Sequence, residues 1–167
     1  MHKQIGLNLE IAIIFSLVIV DQYSKVWVEQ NLPWQESVDF LPGFLSLFYT
    51  RNTGMAFSLF NQYSVHIAIL SCVSLVFLVF LYKLLTNGLL SYRVSWALII
   101  AGAIGNLLSR LFVGSVVDFF SFDFISFPVF NIADIAITCG GLLYALTTLR
   151  IEFTQGRKAK EDEQTSC

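Results

Sequence analysis

The sequence predicts an all-α membrane protein: four transmembrane helices with a small β-hairpin or sheet element on the outer face. Three observations carry that expectation. Of the 167 residues, 56% are hydrophobic and 13% are charged, whereas an ordinary soluble domain carries about 25% charged residues. The apolar residues gather into four stretches close to the roughly 20 residues that a bilayer span requires. Charges collect at the ends of those stretches, and a few polar residues sit inside or against them.

At this length the chain is one domain, residues 1–167. The first span is expected at about 7–28. Met1-His2-Lys3 before an apolar run has the look of a secretory signal, but Val20-Asp21-Gln22 offers no small-residue cleavage site, so the segment reads as an uncleaved helix. Within it Asp21 and Lys25 are four apart, the spacing of an intrahelical ion pair. Residues 29–63 are too long for a tight turn and too mixed for a span. An outer β element is expected at about 38–62, with residues 45–50 and 55–60 as the arms of a hairpin and Gly54 supplying the turn. Trp27 and Trp34 suit the interfacial zone of a bilayer.

The second span, about 64–84, is the plainest, because no Asp, Glu, Lys or Arg occurs between Arg51 and Lys83. In the third, about 94–112, Gly102, Asn106 and Arg110 recur at intervals of four and share one helical face. The fourth, about 130–149, opens with Asn131 and Asp134, a natural helix N-cap and first-turn acid. A mid-bilayer Asp costs roughly 2.5 to 3.5 kcal/mol and each Leu or Ile returns roughly 0.3 to 0.6, so Asp134 belongs near an end or in a polar cleft. Ala101 with Gly105, and Ala136 with Gly140, allow close helix contact. Residues 150–167 are expected to form a tail, polar and unstructured from Gln155.

Basic residues set the orientation. Lys3, Lys83, Arg93, Arg150, Arg157, Lys158 and Lys160 fall on one side of a four-span chain, and Lys25, Arg51 and Arg110 on the other. The richer side faces the cytoplasm, so both termini are expected there, with Asp21, Asp118 and Asp134 towards the outer face. No basic stripe suggests nucleic acid. Cys72, Cys139 and Cys167 lack metal-ligand spacing and are expected to form no disulfide. His66 has no His or Cys partner at ligand spacing, and neither a metal nor a cofactor is expected.

The chemistry is expected at Asp118, in Val-Val-Asp-Phe, and Asp134, in Phe-Asn-Ile-Ala-Asp-Ile. An acid buried in a membrane is costly enough that function is its default reading. Two carboxylates brought together where polarity is low cannot both ionise, so one keeps a proton and the other can act as a base. An aspartyl hydrolase activates water in this way. The competing reading is a small four-helix proton-coupled transporter, which favours a mid-bilayer acid and internal symmetry. A presenilin-like protease would need a Gly-x-Gly-Asp run that is not present.

The order of motifs resembles the lipoprotein signal peptidase family, also called signal peptidase II. The resemblance runs through Val20-Asp21-Gln22-Tyr23-Ser24-Lys25, Arg51-Asn52-Thr53-Gly54-Met55-Ala56-Phe57, residues 102–110 around Asn106 and Arg110, Val116-Val117-Asp118-Phe119, and Phe130-Asn131-Ile132-Ala133-Asp134. It implies a bacterial inner-membrane aspartyl endopeptidase that removes signal peptides from diacylglyceryl-modified prolipoproteins, cutting before the lipid-bearing cysteine. It implies Asp118 and Asp134 as the catalytic pair. Asn52, Gly54, Asn106, Arg110 and Asn131 would shape the site or hold substrate, and Asp21 and Lys25 would support it. Membrane lipid is implied as a partner, and the inhibitor globomycin is expected to occupy the same cleft. Two positions depart from the family pattern: Ser109 stands where an acid is common, and Met55 where Ala is common.

Overall fold

In hydrocarbon, backbone groups must find their partners within the protein, which favours helices wherever a chain crosses a membrane. The computed structural model describes residues 2–53, 64–86 and 88–165. Its elements are α1 (His2–Asn31), β1 (Ser37–Leu41), β2 (Leu45–Asn52), α2 (Ser64–Leu85), α3 (Leu90–Val113), β3 (Val116–Phe122) and α4 (Ile132–Thr165). All four helices are long and apolar enough to cross a bilayer. Leu, Val, Ile and Phe dominate their exposed surface, while Glu10, Asp21, Lys25, Asn106 and Ser109 are buried. That inversion of the usual distribution belongs to a bundle solvated by lipid.

The central helix is α3, which packs against α4, α1 and α2. Glycines permit its closest approaches: a Cβ built on Gly102 would fall 2.3 Å from the carbonyl oxygen of Ala133, and one on Gly140 would fall 2.7 Å from that of Ser95. The helix stops at Gly114, whose φ of 77° lets its N–H return to the Arg110 carbonyl at 3.1 Å.

The strands form one antiparallel sheet in the order β1-β2-β3. β3 follows α3 whereas β1 and β2 follow α1, so both connections lie at the same end of the bundle. Val28, Tyr49, Val117 and Phe119 form a small core that seats the sheet on α1. The third strand was not expected from the sequence, although Val-Val-Asp-Phe-Phe-Ser-Phe has the β-branched and aromatic content of one.

The start of the expected turn segment is extended instead. Arg51 and Asn52 are strand residues, paired with Val117 and Val116. β1 and β2 are joined by a turn at Leu41-Pro42-Gly43-Phe44, where Pro presets one φ, Gly43 takes φ 75°, and the Phe44 N–H reaches the Leu41 carbonyl at 2.9 Å. Gly54 and the arm expected at 55–60 lie outside the described residues. A second correction concerns the tail: α4 stays helical to Thr165, because its polar end consists mainly of Lys, Arg, Ala, Glu and Gln, all good helix formers.

Candidate active site

Both acids arrive at the sheet end of the bundle by local rules. Thr50 pairs with Asp118 across the β2–β3 ladder, so Asn52, two residues along, shares the face of Asp118. The Asn52 amide donates to Asp118 Oδ2 at 3.1 Å. Past β3 the chain returns through Phe130, which exchanges backbone hydrogen bonds with Phe120 at 2.8 and 3.0 Å. That pairing fixes where α4 begins relative to Asp118.

Asn131 caps α4. Its side-chain oxygen accepts from the Asp134 N–H at 3.1 Å, and Asp134 Oδ2 accepts from the Asn131 N–H at 3.1 Å, the reciprocal pattern of a capping box. The NH2 of the same side chain donates to Asp118 Oδ1 at 2.6 Å. From α3, Asn106 Nδ2 donates to Asp134 Oδ1 at 2.8 Å, while Asn106 Oδ1 accepts from Asn131 at 3.2 Å. Three asparagines thus hold two carboxylates. Asn131 is wholly buried, and Asp118 is 4% exposed.

The acids share a cleft of about 610 Å³, walled by β2 residues 48 and 50–52, by Asn106 and Arg110 of α3, and by the return segment 127–130. Arg110 donates to the backbone carbonyl of Asn106 at 3.3 Å and is attracted electrostatically to Asp118 and Asp134. Burial, followed by the charge of Asp134, pushes Asp118 up to about 6, against the lowering effect of the Asn52 and Asn131 amides. The arrangement can hold one proton on a carboxyl beside a second carboxylate, in a depression open to a ligand.

Asp21 and Lys25 stand behind this shell. Their ion pair is 2.7 Å long and buried, as the four-residue spacing predicts. Asp21 Oδ1 also accepts from the Ala133 N–H at 3.0 Å, so α1 holds the first turn of α4, and Lys25 donates to Asn106 Oδ1 at 3.0 Å. Ser109, where a family acid is common, turns from the cleft: its hydroxyl donates to the Gly105 carbonyl at 3.2 Å and accepts from Gln22 at 3.4 Å.

Of the expected site residues, Asn52, Asn106, Arg110, Asn131, Asp118 and Asp134 line or bridge the cleft, with Asp21 and Lys25 behind it. Gly54 lies outside the described residues. Gln22 lies outside the cleft and ties α1 to α3, donating to Asp21 Oδ2 and to the Gly105 carbonyl, both at 2.9 Å. Sequence reasoning missed the 127–130 wall of the cleft, whose apolar residues carry no chemical signature.

A model of the signal peptidase II family matches residues 13–150. The chain belongs to that family. A lipoprotein signal peptidase of Enterococcus faecalis is 40% identical over 126 residues, covering 74% of this chain and 77% of the relative. One from Mesorhizobium japonicum is 36% identical over 140 residues, with 82% and 83% covered. A solved bacterial membrane enzyme superposes with a TM-score of 0.79 at 30% identity, over 86% of this chain and 88% of that one. Signal peptidase II membership makes the chain a peptidase, and its four helices long and apolar enough to cross a bilayer make it a multi-pass membrane protein.

Proposed function

We propose that this signal peptidase II is an aspartyl endopeptidase whose catalytic pair is Asp118 and Asp134, and that it cuts diacylglyceryl-modified prolipoproteins just before the lipid-bearing cysteine. The observation that carries the reading is the shared cleft in which two carboxylates from different elements are bound to one residue, Asn131, Asp118 by its side-chain amide and Asp134 by its backbone N–H. Asp118, whose burial raises its hold on a proton, is assigned as the acid of the pair. Asp134 takes a proton from water as its oxygen attacks the scissile carbonyl, while Asp118 donates to the carbonyl oxygen. The tetrahedral intermediate then collapses, the amide nitrogen takes a proton from the pair, and the C–N bond breaks. Asn106 and Asn131 hold the acids in register, and Arg110 faces the charge that develops between them.

The precursor reaches the cleft laterally, its signal helix among the spans and its acyl chains in lipid. Globomycin is expected to compete for the same space. The seven-to-three distribution of basic residues supports a bacterial inner-membrane protein with cytoplasmic termini and an outward-facing cleft.

The test uses purified protein in detergent with a lipid-modified prolipoprotein, read on gels. Asp118→Asn and Asp134→Asn should each abolish cleavage in folded protein, with the double variant scarcely worse, and chelators should do nothing. Substantial cleavage by either folded single variant, or chelator inhibition reversed by added metal, would sink the aspartyl mechanism. Equal rates on precursor lacking the lipid would remove the lipid from recognition.

A further inference from the structure

Lys25 lies outside the cleft lining and is 4% exposed. Pairing with Asp21 on its own helix at 2.7 Å accounts for only part of its bonding, because the ammonium also crosses to α3 and donates to Asn106 Oδ1 at 3.0 Å. A carboxamide has one accepting and one donating side. With Oδ1 turned to Lys25 and Asn131, the Asn106 NH2 is left facing Asp134 Oδ1 at 2.8 Å. Flipped, the amide would set oxygen against a carboxylate and NH2 against an ammonium. The charged donor is the stronger of the two that fix the oxygen side.

We propose that Lys25 is a positioning residue for peptide hydrolysis, fixing from behind the cleft the Asn106 carboxamide that holds Asp134 and supplying positive charge to both acids. The inference rests on the aspartyl reading. The charges that bear on Lys25 come from every side: Asp21 on α1, Asp134 on α4 and Asp118 on β3, while Arg110 of α3 is a second cation acting on both acids. The charge of Lys25 favours the ionised form of Asp118. Its removal therefore moves the titration of Asp118 to higher pH.

Lys25→Met tests this beside Gln22→Leu. Gln22 also binds Asp21 and ties α1 to α3, yet it makes no contact with Asn106 among those described, so it reports purely structural loss. Cleavage of lipid-modified prolipoprotein is measured from pH 5 to 9, with rates normalised to folded protein. Lys25→Met should lower kcat on the order of tenfold to a hundredfold, with KM within about twofold, and shift the kcat/KM profile to higher pH. Gln22→Leu should keep the wild-type kcat and profile while losing thermal stability. Should Lys25→Met not be recovered folded, Lys25→Gln is read instead: it lacks the charge, so the shift of the profile remains the expected result. A Lys25 variant with the wild-type kcat and profile, or one that loses only stability as Gln22→Leu does, overturns the proposal. Asp118→Asn is run alongside: if it retains activity the aspartyl reading fails, whereas an inactive Asp118→Asn with an unshifted Lys25 variant removes the positioning role alone.

Discussion

Asn131 and Asp118 are joined by a hydrogen bond of 2.6 Å from side-chain amide to carboxylate, which ties the start of α4 to β3. The same amide caps the helix that carries Asp134, so the stability of a helix end and the spacing of two acids depend on one side chain.

Replacing Asn131 by Ala should therefore act on both. Loss of the cap and of a buried donor should cost about 1 to 3 kcal/mol, seen as a lower Tm in detergent. Cleavage by the remaining folded protein should fall severely, because Asp118 loses the side-chain amide that ties it to the start of α4 and Asn106 loses one of the donors that orient it. An unchanged Tm would mean that the cap is dispensable.

Much of this arrangement was legible before any coordinates, for a physical reason. Polar groups are expensive in a membrane, so Asp21, Lys25, Asn106, Arg110, Asn131 and Asp134 stand out from their apolar surroundings, and helical spacing shows which share a face. Strand pairing carries no such local mark. Partners separated by 66 residues, such as Asn52 and Asp118, are brought together by register. The turn at Pro42-Gly43 went unread because Arg51-Asn52-Thr53-Gly54 is an equally plausible turn sequence, and it is the pairing of β1 with β2 that marks the former as a turn. The buried contacts of Glu10 with Arg93 and Tyr82 likewise join three helices that sequence spacing cannot relate.

Asp118 gives a pH-dependent prediction. Burial first and Asp134 second raise its pKa from 3.8 to about 6, so the folded state binds this proton more tightly than the unfolded chain. The stability it contributes is fully present below about 3.8 and is lost as pH rises through about 6, roughly 3 kcal/mol at most. Asp118→Asn has no such titration. The Tm of this variant relative to wild type should therefore rise between pH 4.5 and 7.5; a relative fall would contradict the assignment of the shift to Asp118.

The Glu10 cluster should matter for stability alone. Glu10 accepts from Arg93 of α3 and from Tyr82 of α2, and it lies eleven residues from Asp21 along α1, roughly 16 Å at the helical rise. Glu10→Leu takes the carboxylate from a largely covered guanidinium, which keeps Tyr82, and should cost on the order of 1 to 3 kcal/mol, whereas Glu10→Leu with Arg93→Met should cost less than the sum of the single changes. Tm values around the double-mutant cycle check this. Specific activity per folded molecule should be unchanged throughout.

The two closest contacts of a glycine with backbone atoms, among the described residues, separate packing from chemistry. An alanine at Gly102 would place its Cβ 2.3 Å from the Ala133 carbonyl oxygen, and one at Gly140 would sit 2.7 Å from the Ser95 carbonyl oxygen. Both neighbours are backbone, so α3 and α4 must move apart in either variant, and each should lose about 1 to 3 kcal/mol. Only Gly102 abuts the first turn of α4, one residue before Asp134, where Asp21 and Asn106 set the position of the acid. Gly102→Ala should thus lower kcat by tenfold or more, on the order expected of an ångström-scale misplacement, while Gly140→Ala should retain it per folded molecule. Equal specific activities would mean that the first turn of α4 tolerates displacement, and that the α3–α4 contact serves the bundle and not the acid pair.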